Sequence, residues 1–339
     1  TPGTTAPWTP ADLPGGTALW LDADTASTMS LSGSSVTEWR DRTGNGRSAS
    51  QGTSSRRPAL SANTLGGRPS VVFDGSSDAL TFSGTFLANT SYTVASAVAR
   101  TSNKSSNFYL GGSSSTTNAN LHLGWRSNTA FTHAQYSNDY DMVVGGYTSP
   151  DAQVIVNRSS SSGKDTSIQG TVAGSSTSSS LLSDWSGAAV GRRSSNYFAG
   201  RVGEIVIATT AVADADRQRL EGYLAHKWGT TASLPANHPY KTAAPVKFVA
   251  GPVDGTSTSA WSNVRGAFMV DGKLFTGWSD GTFKVPDYDG TTYGPQTTVP
   301  LALVDGASAS LNRFSTEDLA TITGMFYDKS TARLYFTMA

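Results

Sequence analysis

The sequence predicts an all-β protein: a long β-rich region closed by one helix, followed by a small region of β repeats. Three observations carry this. Glycine (35 residues), serine and threonine are abundant, and the apolar residues fall in short runs between them, the pattern of many strands joined by turns. Helical spacing is well marked at one place, Leu220, Tyr223, Leu224 and Trp228. Beyond residue 242 a strand–turn–strand unit recurs.

In chain order, residues 1–15 are rich in Pro, Gly and Thr and are expected as an extended linker, a stub left by processing or by excision from something longer. Strands are expected at 18–22 and 36–40, with Val36 and Trp39 as core residues. The run 41–46 is a turn, because its glycines and Asn45 tolerate positive φ. Residues 47–69 look irregular. Strands follow at 70–73 and 79–82, then at 92–99, 108–111, 121–125, 130–136, 141–146 and 153–156. The Ser/Thr/Gly-rich stretch 158–183 is expected as a short strand pair with mobile loops, with disorder as its alternative.

Val202, Ile205, Val206 and Ile207 form an apolar run suited to a buried strand. In the helix after it, Asp214 is expected as N-cap, Asp216 lies in the first turn, Gly229 offers the C′ position and Pro235 bars continuation.

The stretches LWLDADTASTMSLSGSSVTEWRDRTGNGRSASQ, RPAL, GGRPSVVFDGSSDAL and YFAGRVGEIVIATTAVADADRQRLEGYLAHKWGTTASLPANHPYK together resemble the laminin-G-like, concanavalin A-like lectin/glucanase superfamily, in the version common in large secreted bacterial proteins. The likeness covers residues 8–242. It implies a jelly-roll sandwich of two antiparallel sheets, spanning 16–242, and an extracellular or cell-surface location. The strand pattern agrees with a sandwich but does not by itself select a jelly roll.

Residues 243–339 are expected to be a second, incomplete β domain of two units. Val264 matches Ile322, Gly266 matches Gly324, Phe268 matches Phe326, and Leu274-Phe275 match Leu334-Tyr335. Asp271-Gly272 and Asp280-Gly281 are hairpin-turn signals. The units resemble β-propeller blades, and two blades cannot close a propeller. The second stops short, so the 322–339 edge is expected to be completed by another chain unless the sequence is a fragment.

Composition narrows the functions. Lys+Arg and Asp+Glu number 25 each, only 15% of residues are charged, and the net charge is zero, so no broad attraction to nucleic acid or anionic membrane arises. There is no cysteine, hence no disulfide framework and no thiolate metal site. No apolar run reaches membrane-spanning length.

A retaining glycosidase needs two carboxyl groups about 5–5.5 Å apart. No Glu-x-Asp-x-x-Glu stretch exists, and Asp139 with Asp141 is the best remaining pair. Glycine pairs such as Gly111-Gly112 have no following helix, so phosphate-binding glycine loops find no support. His122 and His133 would meet only if neighbouring strands brought them together, and no zinc spacing supports them. His226 and His238 sit in the closing motif and look structural.

Calcium is the metal considered. Asp74 and Asp78 put two carboxylates four apart in a turn, and Asp41 offers more oxygen in another turn. The resemblance raises this expectation, since such sandwiches often carry a rim calcium. The competing reading is that these carboxylates bind their own turn backbone. For a sugar ligand the candidates are Trp125, Tyr136, Tyr140, Asp139 and Trp185, because saccharide CH faces stack on aromatic rings while hydroxyls pair with carboxylates and amides. Trp125 and Tyr136 could equally be core residues. The resulting expectation is a noncatalytic extracellular module that binds a glycan or cell-surface ligand. A structural or adhesin spacer completed by another chain, and a divergent hydrolase or lyase, are the alternatives.

Overall fold

The computed structural model describes residues 4–149, 151–177, 181–249, 261–270, 273–288, 293–298, 321–328 and 333–338. The chain divides into two units, Pro7–Pro245 on one hand and Thr1–Ala6 with Val246–Ala339 on the other. Among the described residues the elements are strands, short turns of 3-10 helix and one long α-helix, Asp214–Lys227.

In the unit Pro7–Pro245 the strands form two antiparallel layers. One runs in the order Thr171–Ser176, Gly163–Ile168, Asp151–Ser160, Tyr92–Arg100, Ala199–Ala208. The first half of Ala199–Ala208 also pairs with Arg68–Asp74 and the second half with Leu19–Asp22. The strand changes neighbours at Gly203, where the register shifts. A Cβ there would meet the Trp228 ring at 2.7 Å, so only glycine lets the helix end settle on the bulge.

The other layer runs Asp139–Val143, Ala130–Gln135, Leu121–Ser127, Asn107–Gly112, Ala188–Val190, Leu80–Phe82, Ala49–Ser50, Ser35–Trp39, Met29–Ser32. A single bridge, Ser35 to Ala59, links the layers through Ala59–Leu65. That strand occupies part of the stretch expected to be irregular. Its Ser-Ala-Asn-Thr sequence carries no apolar alternation, and its pairing to Arg68–Asp74 is what makes it a strand.

The layers meet through large side chains. Trp125 of one stacks on Phe198, at the start of Ala199–Ala208 in the other, with centroids 6.4 Å apart. Tyr92 contacts His133 across the same interior. Tyr92–Arg100 is buried at every position, because the second layer covers one face and the helix packs on the other. Such a strand reads as a continuous run rather than an alternation.

The helix is pinned by buried charge. Glu204 accepts hydrogen bonds from Trp20 Nε1 at 2.6 Å, Tyr223 OH at 3.0 Å and Trp228 Nε1 at 2.8 Å. Lys227 Nζ bridges Glu204 and Asp22 at 2.9 and 2.7 Å. The N-cap is Ala213, and Asp214 is the first helical residue. Its carboxylate is drawn sideways to Arg158 at 2.8 Å rather than back over the helix end. Gly229 has φ +71°, and Thr230 N–H reaches Ala225 O at 2.9 Å, the closing bond of a Schellman motif.

Residues 8–15 are not a linker. Trp8 and Leu13 are buried in this unit's core, and the Thr9–Asp12 reciprocal cap holds a 3-10 turn between them. Composition misled because two apolar residues among prolines are enough to anchor a short segment.

In the other unit Thr4–Pro7 pairs with Val246–Val249. Val264–Val270, Lys273–Trp278, Phe283–Tyr288 and Tyr293–Thr298 make a four-stranded sheet, and Ile322–Asp328 pairs with Arg333–Met338. The two leading hairpins share one register. Each shifts after its first residue, at Val264/Gly266 and at Ile322/Gly324, and each opposes aromatics, Phe268 to Phe275 and Phe326 to Tyr335. These ring pairs stack at 5.1 and 4.9 Å. Ile322, Met325 and Phe283 form the small core, with Phe268 and Phe275 against them. Asp280-Gly281 is a turn closed by Trp278 N–H to Thr282 O. Asp271-Gly272 lies outside the described residues.

Candidate functional site

Three successive strands, Leu121–Ser127, Ala130–Gln135 and Asp139–Val143, sort their side chains by period-two alternation. Leu121, Leu123 and Trp125 point into the sandwich with Phe131, His133 and Gln135. His122 and Arg126 therefore take the opposite face, beside Thr132, Asp139 and Asp141.

On that face Arg126 holds two carboxylates at once. Its Nη2 donates to Asp139 Oδ2 at 2.6 Å and its Nε to Asp141 Oδ1 at 2.9 Å. Thr132 Oγ1 donates to the same Asp141 oxygen at 2.6 Å. The pair considered as catalytic carboxylates is thus an ion-paired array on a strand. His122 lies beneath it, its Nε2 3.9 Å from Asp139 Oδ1 and its ring edge-on to Phe108. Burial lowers the His122 pKa to about 4; Asp139 opposes this, while Arg193 and Arg126 reinforce it. The Arg193 guanidinium lies over the Tyr136 ring, 5.2 Å from its centroid, and its Nε is buried with no hydrogen-bond partner among the described residues. Tyr136 follows the strand Ala130–Gln135 with φ +32°.

The other aromatic candidates lie elsewhere. Trp125 is 0% exposed and Trp185 1% exposed. Trp125 packs on Phe131 and Phe198, and Trp185 packs edge-on to Phe82 at 5.3 Å. Neither offers a ring face to a ligand, so both leave the set of sugar-facing residues. Polar sequence neighbours suggested exposure, but strand alternation sends Trp125 inward, and Trp185, in the segment before Ala188–Val190, packs on Phe82. Tyr140 is half-buried and packs against the core; a Cβ on Gly174 would meet its hydroxyl at 2.7 Å. Of the predicted residues Asp139 lies on this face, and Tyr136 stands three positions before it in the chain.

Arg126, and His122 as a member of this face rather than a zinc candidate, escaped sequence reasoning, as did Arg193. The alternation through His122-Leu123-Gly124-Trp125-Arg126 was the signal available for the first two, once Trp125 is taken as core.

His122 and His133 do not meet. They are on adjacent strands but on opposite faces, which rules out a shared metal. His133 belongs to a buried interior network. Its Nε2 is 3.0 Å from Tyr92 OH and its Nδ1 3.3 Å from Thr166 Oγ1, which donates to Asn157 Oδ1. Burial lowers the His133 pKa to about 3, with nearby Lys164 acting in the same direction. His226 and His238 bind Tyr240 O and Glu221 respectively, both within the closing segment.

The calcium candidates hold their own turns. Asp74 Oδ1 accepts the backbone N–H of Ser76, Ser77 and Asp78 at 2.8, 2.9 and 3.1 Å. Partial burial pushes this carboxyl up, but those bonds outweigh it and hold the pKa well below the usual range. Asp78 accepts Asp74 N–H at 3.1 Å, and burial beside the Asp74 charge raises its pKa to about 6. Asp41 accepts the N–H groups of Trp20 and Thr43, both at 3.0 Å. Among the described residues no three His, Asp or Glu side chains gather where a metal ion would fit. These carboxylates are thus engaged by backbone N–H donors.

No family model matches this chain, and no curated protein does. Among solved structures it is similar to domain 4 of AbnA, a GH43 extracellular arabinanase from Geobacillus stearothermophilus in complex with arabinotriose. There the TM-score is 0.47 at 17% identity, over 60% of this chain and 98% of that one. Trypanosoma rangeli sialidase gives a TM-score of 0.46 at 16% identity, over 62% of this chain and 32% of that one. The binding domain of botulinum neurotoxin DC, in complex with rat synaptotagmin II, gives 0.44 at 12% identity, over 61% and 51%. The chain spans about a third of the sialidase's length.

Proposed function

We propose that this chain is a noncatalytic extracellular binding module that recognises a glycan, carried on a concanavalin A-like jelly roll within a larger secreted bacterial protein. One observation carries the reading: Arg126, Asp139 and Asp141 form a hydrogen-bonded polar array on the sheet face that also bears His122, with Tyr136, three positions before Asp139 in the chain, holding its ring against Arg193. Guanidinium and carboxylate groups match the vicinal hydroxyls of a sugar, and an aromatic ring beside them accepts its CH face. The same array argues against hydrolysis. Both carboxylates are tied to one guanidinium, whereas a glycosidase needs one of its pair protonated to serve as acid. No helix among the described residues is long and apolar enough to cross a membrane.

The test is a glycan array probed with and without EDTA, repeated with Asp139→Asn and Tyr136→Ala. Binding that both substitutions abolish, in folded protein, supports the reading. Binding that neither changes moves the site elsewhere, and no binding at all favours the second reading.

That second reading is an assembly or spacer module completed by another chain. It is favoured by the Phe326–Tyr335 stack, whose rings are 60% and 40% exposed. Their counterparts Phe268 and Phe275 lie against the small core, and Phe268 stacks on Tyr327 of the second hairpin at 5.8 Å. A concentration series in sedimentation velocity, with Phe326→Ser as control, distinguishes it.

A further inference from the structure

The turn between Ala130–Gln135 and Asp139–Val143 carries Tyr136 and leads into Asp139. Its two central residues, Tyr136 and Ser137, have φ of +32° and +61°. Two-residue turns with positive φ at both central positions favour Asn-Gly, Asp-Gly or Gly-Gly, because a Cβ is strained there. Here neither residue is glycine. Such a conformation persists only where the surroundings impose it. Within the turn, Gln135 N–H reaches Asn138 O at 3.3 Å, a long bond; from outside, Asn118 N–H donates to Tyr136 O at 3.0 Å.

A stronger hold comes from the opposite layer. Lys164 Nζ donates to Asn138 O at 2.7 Å and to Asn138 Oδ1 at 3.3 Å. Asn138 Nδ2 in turn donates to Gln135 Oε1 at 3.4 Å. Tyr92, Ser159, Lys164 and Ser176 stand side by side on four paired strands and so share one face. That face looks into the sandwich, where Tyr92 meets His133. Lys164 therefore spans the interior to grip a turn of the other layer. It is 3% exposed. A buried ammonium is costly unless its protons are taken, and an apolar side chain would fill the same place at less cost. What the ammonium adds is the charge-assisted bond to the turn.

We propose that Lys164 is the positioning residue of the binding face: its bonds to Asn138 hold Tyr136 and Ser137 in the left-handed conformation that keeps the Tyr136 ring against Arg193, at the head of the strand bearing Asp139 and Asp141. The clamp itself rests on these bonds; the use of that ring for a glycan rests on the reading above.

The clamp carries a pH dependence. Burial lowers the Lys164 pKa to about 8, with Asp139 opposing the shift. Loss of the proton turns the charge-assisted bonds to Asn138 into weaker neutral ones. The titratable groups around Lys164 are His133 on Ala130–Gln135, Asp139 and the inward Tyr140 on Asp139–Val143, and Tyr92 on Tyr92–Arg100. The His133 pKa lies far below this range, and burial pushes that of Tyr92 up. Arg158 and Asp165 alternate to the opposite face and pair with each other. Thr171–Ser176 carries no titratable side chain.

The experiment is NMR of the full chain, with the Arg193 Nε–H and δ-methylene signals reporting the ring that lies beside them. Tyr136→Ala gives their shifts without the ring. In Lys164→Met at pH 7 the Arg193 signals are expected to move toward the Tyr136→Ala values, with circular dichroism unchanged. In the native chain they are expected to move the same way between pH 7 and 9, with a midpoint near pH 8, and in Lys164→Met to stay constant over that range. Native-like Arg193 signals in folded Lys164→Met overturn the proposal. So does a native chain whose signals do not change with pH, or a titration that persists in Lys164→Met. Where Lys164→Met does not fold, the pH series on the native chain decides. On the glycan array, Lys164→Met is expected to weaken binding that depends on Tyr136 about tenfold or more, and undiminished binding in that variant overturns the proposal. An array without a ligand, beside Arg193 signals that move as expected, removes the glycan reading and leaves the clamp in place.

Discussion

Glu204 and Trp228 are joined by a 2.8 Å hydrogen bond between a buried carboxylate and an indole N–H, and this bond fastens the end of the helix to the sheet. Lys227 completes the joint by bridging Glu204 and Asp22, which are paired across neighbouring strands. Burial pushes the Glu204 pKa up, Lys227 pulls it down and Asp22 pushes it further up. Removing one partner of such a cluster leaves charge buried without compensation, at about 3–5 kcal/mol. Glu204→Ala and Lys227→Met should each lose about that much in urea unfolding, and the double variant should lose less than the sum. Additive losses would show that the two residues do not act on each other.

The His133 pKa, lowered from 6.5 to about 3, gives a pH dependence with a definite sign. The unfolded chain takes up this proton below about pH 6.5 and the folded chain refuses it until far lower pH. The stability His133 contributes is thus complete above pH 6.5 and drains away as pH falls toward 3. Asp78, raised to about 6, acts oppositely: the folded chain keeps its proton between pH 4 and 6 and loses stability as pH rises through that window. Comparison with His133→Gln isolates the histidine. The stability difference between the native chain and this variant should shrink on acidification from pH 7 to 5, by at most about 1.4 kcal/mol per pH unit. A difference independent of pH would mean that His133 takes up its proton as readily in the folded chain as in the unfolded one.

Much of the sandwich was legible because its signals are local. The run at Ile205–Ile207, the stripe Leu220–Trp228 and the glycine at 229 each act within a few residues. The repeat was legible too, since Gly266 and Gly324 mark the same register shift. The candidate site was less so. Asp139 and Tyr136 stood out by residue type, but their partners Arg126 and Arg193 come from other strands, and only pairing brings them there. Trp125 shows the reverse: an aromatic ring among polar neighbours looks like a ligand platform until the alternation of its strand is known. The role of Glu204 depended on contacts with residues 184 positions before it and 24 after it, which no sequence window contains.

Calcium removal should not alter stability. The Asp74 carboxylate already accepts three backbone N–H groups, and this turn needs no cation to close. Thermal unfolding in EDTA should match that in millimolar calcium. Asp74→Ala should cost about 1–2 kcal/mol in either condition, because the turn's donors lose their acceptor. A calcium-dependent rise of several degrees, abolished by Asp74→Ala, would restore a rim metal site at this turn.

Trp125 and Tyr136 lie eleven positions apart in sequence yet should fail in different ways when cut back to alanine. Trp125 is fully buried between Phe131 and Phe198, with Arg100 over its ring. Its loss opens a large void, and large-to-small changes of this kind cost about 3–5 kcal/mol. Tyr136 is only partly buried and contributes its ring to Arg193. Its loss removes one cation–π contact, worth about 0.5–1 kcal/mol at a site of this exposure. Chemical unfolding should therefore separate the two variants by at least about 2 kcal/mol. Glycan binding should separate them the other way: lost in Tyr136→Ala while the fold stands, and retained by whatever fraction of Trp125→Ala remains folded. If Trp125→Ala is as stable as the native chain, the ring is not the core residue the sandwich is built around. If Tyr136→Ala binds normally, the outer face of Leu121–Ser127 and its neighbours is not where the ligand sits.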